Sequence, residues 1–225
     1  MATIFDIEPI NISKLFPNPF NQMKFNIDLY DQYKEQYIKV QDYENILYEN
    51  LYKLQKMGSR YSYIPMGSAI TCTMKSYISV GGIPPIKATE DFYFLQALAK
   101  FCGVHTIPDI LVYPSSRPVS RVYLGTGFRM AQTQHGFEIN NLHYSKHAFT
   151  LLHKWIALGT TAWKMNLVKL LDKTGSQNKE LKNFLVKEGI ENIWKNLQSS
   201  SPSENHFIRQ FHRWFDGLKT IRLLK

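Results

Sequence analysis

An acidic pair, Glu90 and Asp91, stands where a glycine-rich stretch gives way to an apolar pattern that continues to Phe101. A carboxylate at the start of a helix, beside a flexible turn, is well placed to accept a proton from a bound hydroxyl group. The same position also suits an acid that only complements the positive end of a helix dipole. The pair by itself therefore leaves a catalytic and a structural role open.

Further short motifs lie before and after this pair. Gly67-Ser68 precedes it, and Arg117 and Arg121 follow it in a loop that contains proline. Arginine forks bind diphosphate oxygens in a bidentate way, and the backbone N–H groups of a turn such as Gly125-Thr126-Gly127 can bind the same oxygens. The alternatives are a glycine required only for packing and a solvated basic loop.

The elements that would position these motifs follow from the apolar spacing. The pattern predicts one long helix over residues 26–57, or two, ended by Gly58. Between that helix and residue 130 we predict strands over 64–73 and 106–113, helices over 74–80 and 91–101, and a loop over 117–130. The rest of the chain is predicted to be helical, with one or two helices over residues 142–171 around Gly159 and a single amphipathic helix over residues 205–225.

Taken in order, four motifs resemble the second half of the GT-A module of family-2 glycosyltransferases: Gly67-Ser68, Gly81-Gly82, Thr89-Glu90-Asp91 and Gly125-Thr126-Gly127. The resemblance extends over about residues 2–130 and weakens in the tail. It implies an α/β fold: a partial GT-A, Rossmann-like mixed sheet with flanking helices, followed by an all-α extension. We therefore expect an acceptor-side half-domain over residues 1–130 and a basic helical extension over residues 131–225.

The resemblance also implies an activity, which is the inverting transfer of a sugar from a nucleotide-activated donor to an acceptor hydroxyl. The setting would be the synthesis of bacterial cell-surface or extracellular polysaccharide. Asp91 would act as the general base, and Glu90 would shape the same pocket. The acceptor would be bound by Gly67, Ser68 and Thr89. The residues assigned to the donor diphosphate are Arg117, Arg121, Gly125, Thr126 and Gly127.

Enzymes of this family hold the donor through an N-terminal half, in which a D-x-D motif binds Mg²⁺ or Mn²⁺. Asp6-Ile7-Glu8 has matching residue types, but its surroundings fit the strand that follows that motif. We therefore expect the donor-binding half and its metal ligands to be missing from this chain, and the chain alone to be inactive. The alternative is a non-catalytic acceptor-binding or regulatory module derived from the same fold.

The net charge of +9 is unevenly distributed. Residues 1–112 carry 10 Lys and Arg against 11 Asp and Glu, whereas residues 113–225 carry 17 against 7. Such a basic half attracts a sugar-nucleotide diphosphate or an anionic membrane surface, and no nucleic-acid-binding signature accompanies it. A lipid-binding surface would be formed by Arg209, Arg213, Lys219 and Arg222. The alternative is that the last helix packs its apolar side against the body of the protein.

The remaining composition bounds the cellular setting. No run of about eighteen apolar residues predicts a transmembrane helix, and the first residues do not form a signal peptide. Cys72 and Cys102 lie in apolar contexts and are expected to be reduced core residues. We therefore expect a cytoplasmic protein, either free or peripheral at the inner face of the membrane, and no metal site within the chain.

Overall fold

The computed structural model describes residues 3–4, 27–67, 69–107 and 123–225, and about two thirds of these residues are helical. Their ten α-helices are α1 (Ile27–Lys56), α2 (Met74–Ser79), α3 (Glu90–Phe101), α4 (Gly125–Gln134), α5 (Lys146–Thr161), α6 (Leu167–Gln177), α7 (Lys179–Lys187), α8 (Ile190–Ser199), α9 (Glu204–Trp214) and α10 (Gly217–Leu224). A 3₁₀ turn occupies Ile139–Leu142. The strands β1 (Thr3–Ile4) and β2 (His105–Thr106) pair antiparallel, with Thr3 opposite Thr106.

The predicted α/β fold class is wrong. Within the described part of the chain, the two-residue pair of β1 and β2 is the extent of the sheet, so no Rossmann-like mixed sheet is present there. The predicted strand over residues 64–73 contains only a bridge residue at Ile70, with Ser68 outside the described residues. Gly67 has a φ of +114°, a conformation that interrupts an extended segment. The apolar residues over 64–73 have the spacing of a strand, but the described residues among them do not form one.

The chain folds as two compact units. The first unit comprises Met1–Glu49 and Tyr63–His143, and the second comprises Asn50–Ser62 and Tyr144–Lys225. Helix α1 contributes its residues up to Glu49 to the first unit and the remainder to the second. The boundary predicted after residue 130 falls inside the first unit.

The first unit buries a small core around α1. The buried side chains are those of Val40, Tyr43, Ile46, Met130 and Ile139. The Tyr43 hydroxyl donates to the sulfur of Met66 at 3.1 Å, which fastens the segment after α1 to this core. Helices α2 and α3 pack against each other, and α3 buries Phe94, Leu95, Gln96 and Leu98. The predicted helices at both places are confirmed.

The second unit is a helical bundle around a large aromatic core. Its most buried large side chains are those of Trp155, Trp194, Phe207, Phe211 and Phe215. Each of five helices begins at a side chain that accepts a backbone N–H of the first turn, a cap worth about 1 kcal/mol. These capping residues are Ser145, Asn166, Asn178, Ser203 and Asp216.

One helix predicted in this unit is divided in the structure. The single helix over residues 205–225 is divided into α9 and α10, because Asp216 caps a new helix by accepting the N–H of Lys219 at 3.2 Å. Of the one or two helices predicted around Gly159, two are present, α5 and α6. Gly159 is inside α5, where it allows the Phe211 ring to approach the helix closely. The apolar side of α9 and α10 is covered within the second unit itself.

Neither cysteine is bridged: Cys72 is partly buried and Cys102 is exposed, so Cys102 is not the core residue that the sequence suggested. In the described ranges, no helix combines the length and apolar character that crossing a membrane requires.

Candidate functional site

A pocket of about 440 Å³ lies in the first unit, beside the start of α3. Its walls are mainly apolar, and its charged groups are two neighbouring carboxylates. The residues that line it are Gly67, Ile70, Thr71, Cys72, Tyr77, Ile83, Glu90, Asp91 and Phe94. Three residues predicted for the site from sequence, Gly67, Glu90 and Asp91, therefore meet at one pocket.

The Asp91 carboxylate is fixed in position by two backbone donors. The N–H of Gly67 donates to Oδ2 at 2.7 Å, and the N–H of Phe92 donates to Oδ1 at 2.7 Å. A carboxylate offers about four lone-pair positions, so about two are left for a ligand. The bond to Gly67 joins segments 24 residues apart in the chain. Asp91 therefore both organises the pocket and presents acceptor positions to an occupant.

Gly67 combines a special backbone conformation with open space. Its φ of +114° is one that residues with a Cβ adopt only with strain. A Cβ built on Gly67 would have no other atom within 4 Å apart from its chain neighbours. The missing side chain thus leaves room at the pocket, next to the carboxylate that Gly67 contacts.

Thr89 precedes the acidic pair in a strained conformation. Thr89 has a φ of +68°, and no other non-glycine residue in the described part of the chain has a positive φ. A β-branched side chain is unfavourable in this left-handed region. Thr89 provides no side-chain cap for α3, and its hydroxyl donates to the carbonyl of Ala88. Strain of this kind costs about 1–3 kcal/mol and concentrates at functional sites. The conformation sets the direction in which Glu90 and Asp91 enter the helix.

One wall of the pocket is aromatic. The rings of Tyr77 and Phe94 meet edge to face with centroids 5.7 Å apart. Gly82 ends the turn after α2 by donating its N–H to the Tyr77 carbonyl at 2.9 Å. A Cβ on Gly82 would come within 3.0 Å of the Tyr77 ring, so the glycine permits the ring position seen here. Aromatic faces of this kind stack on the C–H surfaces of sugars or on other apolar ligands.

The thiol of Cys72 completes the lining. Burial, together with the neighbouring Cys102, raises the pKa of this thiol above its ordinary value. Cys72 is therefore protonated at neutral pH and is unsuited to act as a nucleophile there. Sequence reasoning did not assign Cys72, Tyr77 or Phe94 to a site, because only the packing of α2 on α3 brings these wall positions together.

The predicted diphosphate site is described in part. Arg117 and Arg121 lie outside the described residues, as does Ser68 of the predicted acceptor site. Gly125, Thr126 and Gly127 form the first turn of α4, so the loop predicted over this stretch is wrong at that point. No side chain caps this turn, and none of these three residues lines the pocket at Asp91. The structure therefore does not bring the glycine turn and the acidic pair into one described site.

The divalent metal that the family resemblance implies has no matching ligand set in the part of the chain that the structure describes. Over those residues, no group of three or more His, Cys, Asp and Glu side chains is arranged to hold a metal ion.

A second group of titratable side chains is buried in the second unit. The Tyr61 hydroxyl donates to the His212 carbonyl at 2.7 Å. That carbonyl belongs to the last turn of α9, where backbone acceptors have no partner within the helix. Burial, with a smaller contribution from Arg60, lowers the pKa of His212 to about 4. Burial and the charge of Asp216 raise the pKa of Tyr61. This group stabilises the end of α9, and no sequence motif marks it.

No family model, no curated protein and no solved structure matches this chain. The functional argument therefore depends on the geometry of the pocket and on the order of the sequence motifs.

Proposed function

We propose that the pocket at Asp91 binds the acceptor of a sugar-transfer reaction and that Asp91 accepts the proton of the acceptor hydroxyl. The observation that carries this proposal is that Gly67 meets Glu90 and Asp91 at one pocket, although the glycine and the acidic pair belong to two motifs that are far apart in the sequence. The observed fold is mostly helical and gives this proposal no support. The proposal therefore stands on the residues at the pocket.

The arrangement suits a polyhydroxylated ligand. Two adjacent carboxylates accept hydrogen bonds from hydroxyl groups, and such charge-assisted bonds are each worth about 1.5–3 kcal/mol. The Tyr77 and Phe94 wall offers an apolar surface to the C–H face of a sugar ring. Open space at Gly67 lets a hydroxyl reach the carboxylate that its N–H holds. Proton acceptance by a positioned base accelerates such a transfer by about 10²–10⁴-fold.

A second candidate is a binding module without catalysis. The observation that favours it is that both oxygens of Asp91 already accept a backbone N–H at 2.7 Å. A carboxylate held in this way is a good fixed acceptor for a ligand hydroxyl even where no proton is transferred. The two candidates share the ligand class and differ in chemistry.

Binding of neutral mono- and disaccharides, measured by saturation-transfer NMR, tests the shared part. Asp91→Asn should weaken binding by about tenfold or more, because a charge-assisted hydrogen bond is lost. Asp172→Asn is the matched control, since Asp172 is exposed on α6 of the second unit. Equal saccharide binding by Asp91→Asn and the wild-type chain would contradict the proposal.

Product analysis by mass spectrometry distinguishes the two candidates. The chain is incubated with a panel of nucleotide sugars, Mn²⁺ and the saccharides that bind. Product that falls about 10²–10⁴-fold in Asp91→Asn supports the role of general base. Saccharide binding without product from the wild-type chain is the result that a non-catalytic module gives, and it is also the result expected of an enzyme whose donor-binding half is missing. Product that is undiminished in Asp91→Asn would contradict the proposed base.

A further inference from the structure

The second unit carries all of the excess positive charge. Its residues include 17 Lys and Arg against 6 Asp and Glu, a net charge of +11. The first unit, with the remaining residues, has a net charge of −2. A unit of this charge attracts anionic partners over distances of about 8 Å at physiological salt. The location of its exposed lysines indicates which face would meet such a partner.

The cationic surface expected from sequence on the last helix is partly neutralised. Arg222 Nη1 lies 3.2 Å from a carboxylate oxygen of Glu188, and Lys219 Nζ lies 4.0 Å from the same carboxylate. The Glu188 side chain is 9% exposed, so this cluster is held against the bundle. Two of the four residues in that expected surface are therefore engaged within the protein.

A different surface combines lysines with exposed apolar groups. Residues 163–182 contain five lysines against Asp172 and Glu180. Lys164, Lys169 and Lys173 are exposed. Lys182 crosses Gly175 and lies 3.8 Å from the carboxylate of Asp172. We call the exposed side of α6 with Trp163 and Lys164 the α6 surface.

The apolar members of the α6 surface are Val168 and Trp163. Val168 is 70% exposed, more than Tyr52 and Val186, the other large apolar side chains that are exposed in the second unit. Trp163 is partly buried, and the Lys164 ammonium lies 5.6 Å from the centre of its ring. The loop that carries Trp163 and Lys164 is fixed in position. Trp194 Nε1 and Gln198 Nε2 both donate to the carbonyl of Met165 in this loop, at 2.9 and 2.8 Å. The surface is therefore preformed.

We propose that the α6 surface docks on the headgroup layer of an anionic phospholipid bilayer. Lysines would contact the anionic headgroups, Trp163 would lie at the level of the interface, and Val168 would enter its apolar edge. The exposed valine favours lipid over nucleic acid, because single strands bind through cations and aromatic stacking and gain little from an aliphatic side chain. This inference is independent of the sugar-transfer proposal, since it concerns the other unit.

Co-sedimentation of the full chain with vesicles tests the proposal. Vesicles of phosphatidylcholine are compared with vesicles that contain 30% phosphatidylserine, at 50 and 500 mM NaCl. We expect binding to the anionic vesicles at low salt and its loss at high salt. The triple variant Lys164→Gln, Lys169→Gln, Lys173→Gln should bind about a hundredfold more weakly. This estimate takes about 1 kcal/mol for each lysine and a factor of ten for each 1.4 kcal/mol.

A second triple variant controls for total charge. Lys146→Gln, Arg209→Gln and Lys225→Gln remove the same charge from exposed positions on α5, on α9 and after α10. This variant should keep binding within about threefold of the wild-type chain. Equal losses in the two triple variants, or no binding of the wild-type chain at 50 mM NaCl, would overturn the proposal.

Val168→Ser separates a lipid from a nucleic acid as the occupant. The variant keeps every charge and should weaken vesicle binding by about threefold or more, because part of an apolar side chain no longer leaves water. Binding of poly(U) RNA without binding of anionic vesicles would overturn the lipid assignment. Vesicle binding that is unchanged in Val168→Ser would also overturn it.

Discussion

Gly159→Ala places a methyl group where the structure has no space for it. The new Cβ would lie 2.3 Å from Phe211 Cε2 and 2.4 Å from Cζ. Phe211 is fully buried, and its ring centre lies 5.4 Å from that of Trp155 and 6.2 Å from that of Phe215. With these neighbours in place the ring has little freedom to move aside.

The expected cost follows from two opposing contributions. Overpacking of a core costs about 1–3 kcal/mol, and the short contacts here place Gly159→Ala near the upper end of that range. Replacing glycine by alanine inside a helix favours folding by about 1 kcal/mol. The net prediction is a destabilisation of the second unit by about 2 kcal/mol.

Gly175→Ala is the matched control on α6. Its Cβ would meet the Cδ atom of Lys182 at 2.8 Å, which belongs to a flexible side chain that can move. The helix-propensity contribution should therefore dominate, and the variant should be more stable by up to about 1 kcal/mol. The same Gly→Ala substitution at two positions of one unit is thus predicted to change its stability in opposite directions.

Urea unfolding followed by tryptophan fluorescence is the assay, because all four tryptophans belong to the second unit. Phe211→Leu in the Gly159→Ala background should recover stability relative to the sum of the single changes, as a double-mutant cycle reports. A neutral or stabilising Gly159→Ala, or shifts of the same sign in both glycine variants, would refute the packing described for α5.

Three other perturbations test separate parts of the structure. Thr89→Gly should slow hydrogen exchange of the α3 amides, with a gain of about 1 kcal/mol, because glycine adopts a φ of +68° without strain; faster exchange would argue against strain. Tyr61→Phe should destabilise the second unit by about 1–2 kcal/mol in the urea assay, since the carbonyl of His212 loses its donor; an unchanged midpoint would refute this role. His212 has a folded-state pKa of about 4, so the unfolded chain binds more protons between pH 6.5 and 4. Stability present above pH 6.5 should therefore fall by up to about 1.4 kcal/mol per pH unit across that window, and His212→Gln should flatten the dependence that the wild-type chain shows; parallel curves would contradict it.

Local signals predicted several helices well. The three- and four-residue spacing of apolar side chains predicts one long helix, or two, over residues 26–57, and the structure has a single helix, α1, over Ile27–Lys56. Gly58 ends it with a φ of +78° and donates its N–H to the Gln55 carbonyl at 3.0 Å, as a glycine after a helix does. Periodicity and caps act over a few residues, so the sequence reveals them directly.

Features that depend on distant contacts were not predicted. The apolar run at residues 64–73 has the composition of a strand, yet in the described residues it has no partner strand to pair with. Asp216 looks like a polar residue within an amphipathic helix, although it begins a new helix. Asp91 was selected as a candidate from its motif, but its bond to the N–H of Gly67 depends on how two segments pack.

The most direct test of the pocket at Asp91 is a titration of the ¹⁵N-labelled chain with the best-binding saccharide. The amide signals of Gly67 and Phe92 report on the carboxylate because both N–H groups donate to it. We predict that these two signals shift on binding and that the shifts disappear in Asp91→Asn. Saccharide-induced shifts that avoid Gly67 and Phe92 and persist in Asp91→Asn would contradict the assignment of this pocket as the acceptor site.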